Sequence, residues 1–480
     1  MLKRVRIILT VLLLLATVGV DAQVTTASMA GKVTDASNEP IIGATVQAVH
    51  QPSGSRYGTV TNVDGRYSIQ GMRTGGPYRV EISYIGYQTV IYKDITLQLG
   101  EVYNLNVEMS ESSELLNEVI VTAAKTKFTA EKTGATTNIS SAQITQLPTV
   151  NRSISDIARL SPYANGMSFA GGDGRSTNFT IDGANFNNNF GLSSNLPGGG
   201  NPISMDAIEE VQVVVAPFDV RQTNFIGGGI NAITKSGTNT FRGTAYTYYR
   251  NQDMRGNRIN GEDLGARSDE SKTTYGFTLG GPIIKNKLFF FVNYEKEKTP
   301  GEVIKYRARE DGEEAKGMVS RTLKSDMEKV YNHLKDKYGY DAGSYTNFPA
   351  DEENTKLLAR IDWNITDRHR LSLRYNNTKN TAWNAPNGNS SDTGYRLNNT
   401  YRVGTQSMAF ANSMYSMDNK VQSWAADLNS RFTDKISNQL LFTYTNIEDM
   451  RGTNSSPFPF IDIMAGKDEN GNQILEPYMS

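Results

Sequence analysis

The sequence predicts an exported, mainly β protein, with a small Greek-key β-sandwich near its N-terminus and strands of an antiparallel transmembrane β-barrel in its C-terminal half. Three observations predict it. The chain opens with the charge and hydropathy profile of an export signal, and no later apolar run is long enough to cross a bilayer as a helix. The C-terminal half alternates apolar and polar residues in segments joined by short and long links in turn. Without apolar helices, a chain that enters hydrocarbon has to close its backbone hydrogen bonds between strands.

The N-terminus comes first. Lys3, Arg4 and Arg6 form a positive region, and residues 7–20 are apolar except for Thr10, Thr17 and Gly19. Val20-Asp21-Ala22 supplies the residues that signal peptidase reads, which makes residues 1–22 a signal peptide and Gln23 the first mature residue. The apolar run is shorter than the roughly 20 residues that a membrane span needs. Composition narrows the rest. The 480 residues include no cysteine and only three histidines, His50, His333 and His369, far apart in sequence. Disulfides, thiolate metal sites and a histidine-based site are therefore not expected. A net charge of −1 argues against nucleic acid as a partner. Abundant Gly, Asn, Ser, Thr and Tyr suit strands with polar loops. Length alone suggests about three domains.

Residues 23–109 read as short strands separated by turns. Residues 30–34 and 44–49 alternate inward and outward positions, with Asn38-Glu39-Pro40 turning between them. Asn62-Val63-Asp64-Gly65 turns into Arg66-Tyr67-Ser68-Ile69; residues 78–84 form another strand and residues 103–109 the last. The run Gly31-Lys32-Val33-Thr34-Asp35, Pro40-Ile41-Ile42-Gly43-Ala44-Thr45-Val46 and the Thr61 to Ile69 stretch resembles the carboxypeptidase regulatory-like domain. That resemblance implies a carbohydrate-binding-like fold. No aromatic platform compels sugar binding, so a structural or interaction role is the expectation and a sugar site the alternative. Asp64 is explained by turn formation, without a calcium site.

A polar linker with the candidate partner segment, residues 110–123, follows. In Glu118-Val119-Ile120-Val121-Thr122-Ala123 the β-branched residues favour an extended strand. Such a peptide on a tether can add to another protein's sheet edge; one more buried strand is the plainer reading. Further on come Asn178-Phe179-Thr180-Ile181-Asp182-Gly183, then Ile208-Glu209-Glu210-Val211-Gln212-Val213, then Gly227-Gly228-Gly229-Ile230-Asn231-Ala232-Ile233-Thr234-Lys235. In order and spacing these resemble the plug of TonB-dependent receptors. Ala216-Pro217-Phe218-Asp219-Val220-Arg221-Gln222 replaces the family's usual pattern, and with the N-terminal module it looks like the Oar-like branch. The resemblance implies an α+β plug over residues 124–236 and a TonB box at Glu118, Val119, Ile120, Val121, Thr122 and Ala123. Polar loops containing Asp173, Arg175, Asn185 and Asn187 are candidates for contacting ligand, with a solvated connector as the plainer reading. The glycine runs are not phosphate loops, because no Gly-Lys-Ser/Thr follows them.

Residues 237–480 carry the barrel pattern. Leu357, Ala359, Ile361, Trp363 and Ile365 alternate with Leu358, Arg360, Asp362, Asn364 and Thr366. Leu371, Leu373 and Tyr375 alternate with Ser372, Arg374 and Asn376, and Trp424, Ala426 and Leu428 with Ser423, Asp427 and Asn429. One face suits lipid and the other a wet lumen. Seven strands are expected near 240–250, 272–283, 287–297, 356–366, 370–379, 421–432 and 436–446. The links at 284–286, 367–369 and 433–435 are tight, whereas those at 251–271, 298–355 and 380–420 are long, as periplasmic turns and outer loops would be. Tyr246, Tyr248, Tyr294, Trp363 and Tyr444 are candidates for aromatic girdles. Met327, Val330, Tyr331, Leu334 and Tyr338 have the spacing of a short surface helix packing on its own loop. A plugged transporter barrel has about 22 strands, so the sequence is expected to hold the first part of an incomplete barrel.

The resemblance implies energised uptake across the outer membrane. TonB, driven by ExbB and ExbD, would pull on the tethered box, with outer-membrane lipid around the barrel and a surface lipoprotein as a further partner of some relatives. The ligand class is open between peptide, glycan and siderophore. A surface adhesin or structural barrel is the alternative. No nucleophile–base pair, clustered histidines, His-Glu-x-x-His or cofactor fingerprint is present, so no enzyme activity, catalytic residue, metal or cofactor is expected.

Overall fold

Alternating β-branched and aromatic residues between Gly- and Asn-bearing turns build the first domain. The computed structural model describes residues 24–111, 119–122, 135–147, 149, 151–188, 195–215, 222, 226–254, 256, 258–263, 270–301, 306–346, 351–385, 402–467, 469–472, 474 and 477–480. The expected signal peptide, Glu118, Ala123 and residues 216–221 lie outside them. Strands β1 (Ala27–Asp35), β4 (Arg66–Met72), β7 (Val102–Asn104) and β8 (Val107–Met109) form one sheet. In the other, β2 (Thr45–His50) lies between β3 (Ser55–Val60) and β5 (Gly75–Ser83), and β6 (Val90–Leu97) follows β5. Met29, Val33, Val46, Ala48, Ile69, Tyr78, Val80 and Ile82 close the core between them. At the Asn62 turn, the Asn62 side-chain oxygen accepts from the backbone N–H groups of Asp64 and Arg66, so the side chain that closes the turn is that of Asn62.

The single last strand expected at residues 103–109 is instead broken in two. The register does not shift across the break, from Ala30↔Asn104 to Val33↔Val107; between them the Leu105 N–H donates to the Ala30 carbonyl (2.8 Å) and the Leu105 carbonyl accepts from the Tyr67 hydroxyl (2.7 Å). Gly31 makes room for it: a Cβ there would lie 1.9 Å from the Leu105 oxygen. The break involves Tyr67, a neighbour across the sheet, so local pattern does not reveal it.

The second domain begins with β10 (Ala135–Ser140) and two short helices, α1 (Ser141–Gln146) and α2 (Ile154–Ala158). Its other strands are β11 (Asn178–Ile181), β12 (Ala184–Asn185), β13 (Ile208–Val215) and β14 (Gly228–Thr234), in the sheet order β10-β13-β14-β11-β12. Both β13 and β14 are buried almost throughout. Their apolar side chains join Ile154, Ile157, Phe179 and Phe186 in one core, which continues into Phe291, Leu358 and Val421 of the third domain.

The third domain is one seven-stranded antiparallel sheet in sequence order: β15 (Arg242–Asn251), β16 (Ser271–Ile284), β17 (Leu288–Thr299), β18 (Glu352–Asn364), β19 (His369–Asn384), β20 (Tyr415–Arg431) and β21 (Ser437–Gly452). The strands run up to 17 residues, longer than expected from alternation, because their ends pair beyond the apolar band. Phe277, Leu279, Ile361, Trp363, Leu373, Trp424, Phe442 and Tyr444 stay exposed on one face, while Asn293, Glu295, Lys356, Asp362, Arg374, Asn376 and Thr378 are buried on the other. Among the described residues no helix is long and apolar enough to cross a membrane. The girdle expectation needs one correction. Tyr246 turns to the polar face, where its hydroxyl donates to Glu295 (2.9 Å), and Arg152 of the second domain stacks over Tyr248 at 3.7 Å.

At the long-loop end, α3 (Lys324–Tyr338) forms where the helical spacing predicts it and stops at Gly339, whose φ of 64° ends the helix. It does not pack on its own loop alone. Met327 is buried with Met408, Phe410, Met414 and Met479, so segments of three loops share a small core.

The Gly31→Ala change is expected to cost about 1–3 kcal/mol, because the added methyl collides with a backbone carbonyl that cannot swing away. Thermal unfolding of the variant checks this; an unchanged midpoint would show that β1 and the Leu105 segment separate freely.

Candidate functional site

The second domain lies against the polar face of the seven-stranded sheet and is tied there by charge. The turn at Asp182-Gly183, where φ is 46° and 78°, projects the Asp182 carboxylate. Thr234 holds it from within the domain, through its N–H (3.0 Å) and hydroxyl (2.6 Å). On the sheet side, Arg360 and Arg374 each approach it to 3.5 Å, and Arg360 also donates to the Thr234 carbonyl at 2.8 Å. Arg360 pairs twice with buried Asp362 at 3.0 Å, and Asp362 lies 3.6 Å from Arg73 of the sandwich. One buried chain of charges therefore links all three domains. Removing a single partner from such a network leaves an uncompensated charge.

A second cluster fastens residues 198–206. Lys356, 2% exposed in its side chain, bridges Glu295 (2.9 Å) and Glu297 (2.5 Å). The Ser204 hydroxyl donates to Glu295 at 2.8 Å, Thr378 donates to the Pro202 carbonyl at 2.7 Å, and Asn354 donates to the Gly198 carbonyl at 3.0 Å. The hydrogen bonds to the Pro202 and Gly198 carbonyls exchange with water at modest cost, unlike the apolar core of the domain.

The sandwich lies at the tight-turn end. Asn239 donates its N–H to the Pro52 carbonyl (2.8 Å), Thr25 donates to Asp427 (2.7 Å), and the Arg370 guanidinium stacks over Tyr57 at 3.8 Å. Its Leu99 turn reaches the second domain: Glu210 accepts from the Leu99 N–H (3.0 Å) and from Asn138 (2.9 Å), while Gln212 donates to the Leu99 carbonyl (2.5 Å). Burial pushes the Glu210 carboxyl up to about 7.

Of the expected partner segment, Val119–Thr122 is a strand, β9. It pairs in parallel with β6, in the register Val90↔Val119, Ile91↔Ile120, Tyr92↔Val121 and Lys93↔Thr122. The four ligand candidates fall in two places. Asp173 and Arg175 pair with each other in an exposed turn, where the Arg175 guanidinium holds the Asp173 carboxyl below its usual range. Asn185 and Asn187 brace the β11–β12 hairpin: Asn187 accepts from the Phe179 N–H (2.6 Å) and donates to Asn178 (2.8 Å), and Asn185 accepts from the Asn187 N–H (2.7 Å). Sequence reading placed Arg360 and Arg374 on the polar face without a role. The available signal was a full charge in the middle of a membrane strand, which needs a buried partner.

Comparison with known proteins agrees with this layout. Residues 28–110 match the carboxypeptidase regulatory-like domain, and residues 233–305 match an outer membrane β-barrel domain. The chain thus combines these two modules and resides in the outer membrane. It is similar to the TonB-dependent transporter Oar from Myxococcus xanthus, 25% identical over 376 residues. That match spans 72% of this chain and 33% of Oar. Among solved structures, it is similar to the outer membrane transporter YddB from Escherichia coli (16% identity, TM-score 0.45, 66% of this chain and 39% of that one). The siderophore receptor PirA from Acinetobacter baumannii is also similar (17% identity, TM-score 0.42, 71% and 42%). The chain spans less than half the length of each of these relatives.

Two predictions follow from the geometry. Asp182→Asn keeps the turn but strips the charge between Arg360 and Arg374, and should loosen the second domain by about 3 kcal/mol. Protease accessibility in denaturant reads this; wild-type resistance would sink it. Glu210 titrates far above an unfolded glutamate, so its protonated form favours the folded state. The stability it contributes is complete below pH ~4.5 and is lost as pH rises to about 7, roughly 3 kcal/mol in all. Glu210→Gln should flatten that slope when unfolding midpoints are compared at pH 5 and pH 8.

Proposed function

We propose that this protein is a TonB-dependent transporter that takes up a ligand across the outer membrane, with residues 124–236 as its plug and residues 118–123 as its TonB box. The observation that carries the reading is the Asp182 network. It holds a folded domain against the polar face of a membrane sheet by ion pairs and hydrogen bonds, beside a small apolar contact with Phe291, Leu358 and Val421. A domain bound in this way can be remodelled by a pull without breaking its own apolar core. The Oar relationship favours the same activity. In this reading TonB, energised by ExbB and ExbD, pairs with the extended segment and supplies the pull. The second domain and the long loops receive the ligand, with Asp173, Arg175, Asn185 and Asn187 as first residues to test. Peptide, glycan and siderophore remain the ligand classes to screen.

Ile120→Pro tests the box. Proline removes a backbone donor from the strand, so uptake should be abolished while ligand binding to whole cells is retained. Wild-type uptake in this variant would refute the assignment.

A further inference from the structure

The segment read as the TonB box already has a sheet to pair with, on its own chain. It continues the sandwich sheet past β6, giving the order β3-β2-β5-β6-β9. Three observations make this a built docking edge. The pairing runs through four consecutive residues without a register shift. The linker also starts in the right place: Ser110 accepts from the Gln88 N–H at 2.9 Å, and Glu111 bridges Tyr87. The chain therefore leaves the sandwich beside the start of β6, the end at which Val119 pairs with Val90. Finally, Ile91 is only 1% exposed although it lies outside the sandwich core that takes in its neighbour Val90. Successive residues of a strand face opposite sides of the sheet. Ile91 thus belongs to the outer face, and its register partner is Ile120.

An uncovered β6 would offer a row of unpaired backbone groups, which sheets avoid by covering the edge. The short tether makes the chain's own segment the favoured cover, since its local concentration is far above that of any free peptide. We propose that the β6 edge is a clasp for residues 119–122, which holds the segment at rest and opens before tension from TonB reaches the plug. The proposal rests on the box reading given above. It assigns the sandwich a role: it keeps the segment extended and paired until a partner strand takes it.

The test uses the full-length protein carrying Ile91→Cys and Ile120→Cys, because these 480 residues hold no cysteine to compete. Mild oxidation of the resting protein should give the intramolecular disulfide in high yield, seen by mass spectrometry of its digest. The displaced pair Ile91→Cys with Thr122→Cys should cross-link several-fold less. Prior addition of the TonB periplasmic domain should lower the Ile91–Ile120 yield several-fold. Equal yields for the two pairs, or a yield that bound TonB leaves unchanged, would overturn the clasp. If the TonB domain fails to bind the reduced protein, the box reading fails instead; the clasp then stands or falls on the two cross-linking yields alone.

Discussion

A backbone that enters hydrocarbon without apolar helices must pair each of its N–H and C=O groups with another strand. Between its first and last strands the seven-stranded sheet obeys this constraint through antiparallel ladders from β15 to β21. Much else follows. Pairing forces side chains to alternate, so a face that meets lipid, with Trp363, Leu373 and Trp424, implies an opposite face that carries Lys356, Arg360 and Arg374. Charges on that face need partners: Glu295 and Glu297 of the sheet take Lys356, Asp362 of the sheet takes Arg360, and Asp182 of the second domain comes between Arg360 and Arg374.

The two kinds of packing in this chain are therefore not interchangeable. Within the second domain, Phe179, Ile181, Val211 and Ile230 make a dry core that holds its sheet together. Between that domain and the membrane sheet, beside a small extension of this core to Phe291, Leu358 and Val421, Asp182, Ser204 and the Pro202 carbonyl make polar contacts to Arg360, Glu295 and Thr378. The dry core resists deformation, whereas the polar contacts can exchange partners with water. Arg73 extends the charged network to the sandwich, so all three domains share one set of ion pairs. A pull that begins near the sandwich has a physical route into the second domain.

The order of sandwich, tethered strand, second domain and membrane strands was legible in the sequence because each has its own period or turn chemistry. Alternation placed Ile361 and Trp363 outward and Asp362 inward correctly. Helical spacing found α3, and the Asp-Gly and Gly-rich turns marked both ends of the buried strands. The misses share a cause. The break at Leu105, the inward turn of Tyr246 and the shared core around Met327 all depend on residues far away in sequence. No local window contains the neighbour that decides them.

The candidate site divides in the same way. By itself the sequence determined that residues 119–122 favour an extended strand, since β-branched side chains restrict the backbone wherever they occur. It also determined that Arg360, Arg374 and Asp362 share a face, since a strand has a period of two. Only the tertiary structure decided that Asp182 comes between the two arginines, and that the extended segment lies on β6. Both are pairings between distant parts of the chain, set by which surfaces the packed domains bring within hydrogen-bonding reach.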